Sequence, residues 1–417
     1  LKPDNILIVN YDFPPNKGIG GRRWAIFAKY LTAKGLKIHV LKRKTLFKQN
    51  SNFYDYVKGN ERIRIHSFPS FYPEILNNKP RGILHRFIYN LAKYMMQLIS
   101  SGTPYDRALI PGFWLERIMW KRAQRIKAKY IIVSGAPFKL CYFATRNRKK
   151  YNIPVIVDFR DPWTWGKAYG FILLGKKRFE VEKRMERITV ENADLITVPA
   201  EPMLDYLKKT YPEHYSKMVL LKHGFDQDLI VRHDFNRFKG KAVINLIHLG
   251  TIRDGIDAIM TQMAEVLLKA QGKIKLTFYT DENKYEQIFL TAGLLGTDVN
   301  YKKTLSQKEF FGKMGEFDFV FMAHPFHAKD DLVTKVYEIV YSKTPIIYVG
   351  DSGLLSEFLT KNHCGLYFNP AHVSEDLTHE FLNSNIHFEG FAGIEEYSFE
   401  KLTDYFLEKV EEKLRIE

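Results

Sequence analysis

Between His324 and Gly350 the sequence reads HPFHAKDDLVTKVYEIVYSKTPIIYVG. Asp330 and Asp331 lie in an irregular segment, Thr334, Lys335 and Glu338 enter a helical pattern, and Pro345 precedes a short apolar strand. This puts an acid at a helix entrance, a cation within its first turns and a second acid further along. Asp330 and Glu338 are eight positions apart, about 12 Å of helical rise. That length reaches from a sugar at one end of a nucleotide sugar to the ribose at the other. Lys335 and Glu338 share a helix face, and the N–H groups at a helix entrance suit a diphosphate. Taken alone, the pattern fits a surface helix with an acidic first turn better than it fits a site.

Other stretches carry residues of chemical interest. DFPPNKGIGGRRW (12–24) follows a strand-like segment; Pro14 and Pro15 keep it extended, and Gly18, Gly20 and Gly21 allow close backbone approach where a helix begins. It lacks the spaced dinucleotide signature and reads as the lining of a cleft at the carboxyl ends of strands. Arg160 and Asp161 in DFRDPW also follow a strand, where a doubly wound sheet presents ligand contacts. Asp161 is placed to orient or deprotonate a hydroxyl; the alternative is an Arg–Asp pair that fixes the loop. The DQD of 226–228 mimics a metal motif but reads as a loop, and no His/Cys/Asp cluster has ligand spacing, so no metal is expected. Neither a Ser-His-Asp arrangement nor a nucleophile elbow is found.

The elements that position these residues alternate strand and helix. Strands are expected at 5–11, 37–43, 107–111, 130–134, 153–159, 194–200 and 218–224, and again at 243–250, 274–280, 318–323 and 345–350. An amphipathic helix is expected at 20–35, closed by Gly35. Such alternation implies doubly wound parallel sheets. At 398–414, Phe399, Leu402, Tyr405, Phe406 and Val410 recur at helical spacing and require a surface to pack on. Residues 83–99, ILHRFIYNLAKYMMQLI, form an apolar stripe with Arg81, Arg86 and Lys93 close by. Most such stripes are core; the alternative is a helix dipping into a membrane interface.

At 417 residues the chain exceeds what one core usually organises, so more than one domain is expected. Cys141 and Cys364 stand in apolar surroundings, as buried reduced thiols of a cytoplasmic protein would. A strand-like ILIV opens the chain where a signal peptide would differ, and no apolar run approaches the roughly 20 residues of a membrane span. The net charge of +16 is uneven: residues 1–232 hold 43 Lys/Arg against 19 Asp/Glu, and residues 233–417 hold 20 against 28. The basic first part implies an anionic partner, namely a membrane face, a phosphorylated acceptor or nucleic acid. No nucleic-acid module is recognisable, so nucleic acid is not expected.

In order along nearly the whole chain, the opening segment, SGAPF (134–138), VDFRDPWTW (157–165), VENADLITVPAEPMLDYL (190–207), HGFDQD (223–228) and HLGTIRDG (248–255) resemble the family 4 retaining glycosyltransferases of GT-B fold, in the bacterial surface-polysaccharide branch. The resemblance implies an α/β chain of two Rossmann-like, doubly wound domains facing across a cleft, with a C-terminal helix crossing back to the first. The expected domains are 1–232 for the acceptor, 233–395 for the nucleotide sugar, and 396–417 for the returning helix. It further implies sugar transfer from a nucleotide-diphosphate sugar to a glycan or polyprenyl-diphosphate-linked acceptor, without metal or other cofactor, in O-antigen- or capsule-type biosynthesis. The enzyme would sit peripherally at the inner face of the plasma membrane. A nucleotide-sugar epimerase or a catalytically silent subunit of the same fold are the alternatives.

By that resemblance Asp330, Arg253, Lys335 and Asp161 are the catalytic candidates. Asp330, where the family usually has Glu, would lie near the transferred sugar. Glu338 would hold the ribose, and Arg253 and Lys335 would meet the diphosphate, whose charge rises in the transition state. Lys335 would stand in for the family's usual Lys after GTIRDG. Thr251, Gly250, Asp331, Thr334, His324, Gly20 and Gly21 complete the donor contacts, and Arg160, Arg22 and Pro137 lie on the acceptor side.

Overall fold

The computed structural model describes residues 4–45, 51–77, 80, 82–109, 112–166, 171, 174–325, 335–371, 373, 387–390 and 393–414. The chain forms two compact units, one of Leu1–His223 with Leu402–Glu417, the other of Gly224–Lys401.

The first unit is built on seven parallel strands: β1 (Asn5–Asn10), β2 (Lys37–Arg43), β3 (Ile63–Phe68), β4 (Ala128–Gly135), β5 (Val155–Phe159), β6 (Leu195–Val198) and β7 (Met218–Leu220). Their order is β3-β2-β1-β4-β5-β6-β7. The helices of this unit are α1 (Arg22–Ala33), α2 (Ile83–Ile99), α3 (Gly112–Ile126), α4 (Phe138–Thr145), α5 (Lys176–Asn192) and α6 (Glu201–Thr210). Ile6, Leu7, Ile8 and Val9 of β1 and Val155, Ile156 and Val157 of β5 are fully buried. Strands covered on both faces have no reason to alternate, hence these continuous apolar runs.

In the second unit α and β alternate throughout: β8 (Ile244–Leu249), α7 (Asp257–Ala270), β9 (Ile274–Tyr279), α8 (Glu286–Thr291), β10 (Val299–Lys302), α9 (Gln307–Lys313), β11 (Phe319–Ala323), α10 (Lys335–Tyr341), β12 (Ile346–Val349), α11 (Leu354–Lys361) and β13 (Gly365–Phe368). The six strands are parallel in the order β10-β9-β8-β11-β12-β13. In both sheets the order reverses beside the first strand, between β1 and β4 and between β8 and β11. Ligands of doubly wound folds bind at such switch points, outside the carboxyl ends of the strands.

The last helix, α12 (Phe399–Leu414), begins in the second unit and lies mostly in the first. Leu402, Phe406 and Val410 are buried, and the Phe406 ring stands 5.6 Å from Trp24 and 6.1 Å from Phe27 of α1. The expected apolar face of 398–414 thus has its surface.

Three sequence expectations are revised. No strand forms at Arg107–Leu109; Asp106 instead folds a turn there, accepting hydrogen bonds from the Ala108 and Lys139 amides at 2.9 Å each. The short sequence RALIP is apolar enough for a strand, but a carboxylate that captures nearby amides favours a turn. Strands β3, β10 and β13 were not anticipated. They are short, half-buried and at or near sheet edges, so their apolar signal is weak. Finally, the apolar stripe of α2 is not core: among its side chains only Met96 is buried. Cys141 and Cys364 are both buried and unbonded, in different units; burial pushes the Cys364 thiol up to about 12.

Candidate functional site

In the second unit, β8 ends at Leu249 and the chain turns at Gly250, whose φ of +90° lies in the region that glycine tolerates. The Lys335 ammonium, at the start of α10, donates to the Leu249 carbonyl at 3.4 Å, and a Cβ on Gly250 would come within 2.8 Å of that nitrogen. The switch point therefore carries an exposed cation directly beside a glycine turn. Lys335 also acts electrostatically on the next residue back. Burial first, and Lys335 further, hold His248 down to about 4, although its Nδ1 sits 3.1 Å from the Phe321 carbonyl oxygen.

Thr251 is exposed and Arg253 half-buried in the loop that follows. Two residues absent from the sequence reading brace that loop. The Tyr285 hydroxyl donates to the Arg253 carbonyl at 3.1 Å, and Lys284 reaches the Ile252 carbonyl at 3.1 Å and Asp254 at 3.0 Å. His324 closes β11, the neighbouring strand. Its amide donates to the Val349 carbonyl at 3.0 Å, and its buried ring lies 5.3 Å from Tyr348, edge to face. Glu338 is buried, at 2% exposure, and accepts a 3.1 Å hydrogen bond from Gln307 at the head of α9. Gln307 gave no sequence signal, since a lone glutamine after a Ser-capped helix start is ordinary. Asp330, Asp331 and Thr334 lie outside the described residues.

The switch point of the first unit holds Gly20 and Gly21, expected at the donor, beside Arg160 and Arg22, expected at the acceptor. The Arg160 guanidinium donates to the Gly20 carbonyl at 2.7 Å and pairs with Asp161 at 2.9 Å. Asn10, the last residue of β1, donates to the same Gly20 oxygen at 3.1 Å. Gly21 sits so close to the preceding loop that a Cβ would stand 2.3 Å from the Asp12 carbonyl oxygen. Arg22 is buried, with its guanidinium carbon 5.8 Å from the Phe53 ring centre. Pro137 precedes α4 after β4, and its carbonyl accepts from the Leu140 amide at 3.3 Å.

A shell of residues that the sequence reading passed over fixes this loop. Asp12 pairs with Arg107 at 2.7 Å and Arg43 at 3.1 Å, and the buried Lys42 ammonium donates to Asn16 at 2.7 Å. Asp158, fully buried at the end of β5, accepts from Trp24 at 2.7 Å, Thr197 at 2.9 Å and Ser134 at 3.0 Å, with Arg23 at 3.5 Å. The LKRK run at the end of the second strand was the available sign for Lys42 and Arg43. Positive charge is dense here: burial, then Arg23, Arg160 and Arg22, hold His223 well below the usual histidine range. Among the described residues no three His, Cys, Asp or Glu side chains are grouped to hold a metal ion.

No family model and no curated protein matches this chain. Solved structures do. Sucrose-phosphate synthase from Thermosynechococcus elongatus is similar over 99% of this chain and 100% of its own, at a TM-score of 0.67 and 13% identity. A glycosyltransferase from Rickettsia africae ESF-5 is similar over 100% of both chains, at 0.63 and 12%. Anabaena Alr3699/HepE, in complex with UDP and glucose, is similar over 98% of this chain and 100% of its own, again at 0.63 and 12%. The chain has the GT-B fold of these proteins. At such identities the likeness establishes the architecture and leaves the chemistry to the residues.

Proposed function

We propose that the chain is a metal-independent, retaining glycosyltransferase that moves a sugar from a nucleotide-diphosphate donor to a glycan or lipid-linked acceptor in surface-polysaccharide synthesis. The reading is carried by one observation: Lys335 stands against the Leu249 carbonyl and the Gly250 turn, where the second sheet reverses its strand order. A Rossmann-like sheet offers its phosphate site there, and a cation beside a glycine turn is what a diphosphate requires.

In this reading Lys335 and Arg253 neutralise the leaving diphosphate as its charge grows. Glu338, held by Gln307, takes the ribose, while Asp330 lies towards the sugar. Thr251, His324, Asp331 and Thr334 complete the donor contacts. Arg160, with Asp161, Arg22 and Pro137, serves the acceptor. No side chain is assigned as a nucleophile; the departing diphosphate would itself help activate the incoming hydroxyl on the same face of the sugar. HepE, whose structure holds UDP and glucose on the same fold, supports the choice of ligand class.

Thermal-shift screening of nucleoside diphosphates tests the reading first, since a ligand that binds only the folded form raises its melting temperature. A selected nucleotide should then bind Lys335→Ala and Glu338→Ala far more weakly; unchanged affinity in both would remove the site. With a donor in hand, NMR of the product anomer reads retention, and an unaltered rate in EDTA reads metal independence. Conversion of the donor with no acceptor present would make the chain an epimerase instead.

A further inference from the structure

Helix α2 turns its apolar side away from the unit that carries it. Nine large apolar side chains between Ile83 and Ile99 are exposed, Ile83 at 92% and Leu84 at 73%. At 3.6 residues per turn they fill one unbroken arc of about 160°. The arc beside it does the packing: Met96 clusters with Tyr72 and Leu76, with Tyr89 and Ala92 against them. The helix is firmly seated on that side. Arg178 donates to the Gln97 and Ser100 carbonyls at 2.7 Å each, and to Gly102 at 2.8 Å. The outward face is therefore a feature of a well-held helix.

Arg86 and Lys93 stand between the packed arc and the far edge of the apolar arc, and no acid occurs between Glu74 and Asp106, a stretch that also contains Lys79 and Arg81. No helix among the described residues is long and apolar enough to cross a membrane. An amphipathic helix with a wide apolar face and only basic charges lies in the plane of a bilayer surface. Phe71, next in sequence to the Tyr72 on which the helix rests, forms an exposed aromatic pair with Trp114, their ring centres 5.9 Å apart. Aromatic side chains of this kind favour the headgroup boundary.

We propose that an anionic lipid bilayer covers this face, with the apolar arc of α2 inserted among the acyl chains and Arg86 and Lys93 at the headgroups. The alternative occupant, a second copy, would bring together two chains of net charge +16, whereas anionic lipid attracts that charge. This inference is independent of the sugar-nucleotide site, because lipid alone is the probe.

The test is co-sedimentation of the full chain with vesicles of phosphatidylcholine containing phosphatidylglycerol, and with pure phosphatidylcholine. The mixed vesicles should bind the chain, and the triple variant Leu84→Gln, Leu91→Gln, Leu98→Gln should bind them at least about tenfold more weakly. Those side chains are exposed, so the variant should melt as the parent does; Leu268→Gln, an exposed leucine of α7, should leave vesicle binding unchanged. Absence of binding by the parent chain, or equal binding by the triple variant, would overturn the proposal. So would a dimer in sedimentation equilibrium that the triple variant dissolves, since a second copy would then own the face.

Discussion

Lys335 is exposed at the carboxyl edge of the second sheet, where charge-assisted bonds to phosphate oxygens add most to binding. Lys335→Ala should weaken binding of the preferred nucleoside diphosphate by about 1.5–3 kcal/mol, roughly 10- to 150-fold in isothermal titration. Lys335→Arg should recover part of the loss, because the charge survives. The buried histidines lead to a prediction about pH. His248 and His39 are each held down to about 4, chiefly by burial, and His66 and His223 are lowered for the same first reason. A histidine whose folded value is depressed stays neutral in the fold and binds its proton more readily when unfolded. Stability is therefore full above about pH 6.5 and falls as the pH drops towards about 4, on the order of 3 kcal/mol from His248 alone. Urea unfolding at neutral and mildly acid pH measures this; coincident midpoints would contradict it.

Turning to elements, the junction of the first loop with α1 depends on backbone proximity. A Cβ at Gly21 would meet the Asp12 carbonyl oxygen at 2.3 Å and the Phe13 Cα at 2.8 Å, and neither can yield as a side chain would. Gly21→Ala should cost about 1–3 kcal/mol of folding stability. The three atoms nearest a Cβ at Gly20 all belong to the Arg160 guanidinium, the first at 2.6 Å. Gly20→Ala should displace that side chain, lowering transfer activity more than the melting temperature. The helices that became α1 and α2 were legible from periodicity, because a regular apolar spacing is a local property of the chain. Strand β3 was not, since IRIHSF mixes charges with apolar residues and is only half-buried. The turn at Asp106 was hidden for another reason: its amide partner at Lys139 lies 33 residues away.

On the scale of the molecule, α12 ties the end of the chain to the first unit. Phe406 is 1% exposed against Trp24 and Phe27, and Leu402 and Val410 are buried beside it. Each such side chain is worth about 1.5–3 kcal/mol when buried, and Phe406→Ala should cost about 3–5 kcal/mol. A chain ending at Lys401 should melt in two calorimetric steps, the first unit at a lower temperature and the second near its original one. A single unchanged transition would show that α12 adds nothing to the first unit.

Composition and periodicity alone determined that the chain makes two series of buried parallel strands with helices between them, and that its last helix needs a surface. Motif position singled out Arg160, Gly20 and Lys335 as residues of interest, and the family resemblance added Gly250. Tertiary structure alone decided how these meet. The Arg160–Gly20 bond joins residues 140 positions apart, and the Lys335–Leu249 bond joins residues 86 apart. Both follow from a strand order that local pattern does not encode. The direction of the α2 face was likewise undetermined by its spacing. A helical repeat states that one side is apolar; which side the rest of the fold covers depends on neighbours brought in by topology.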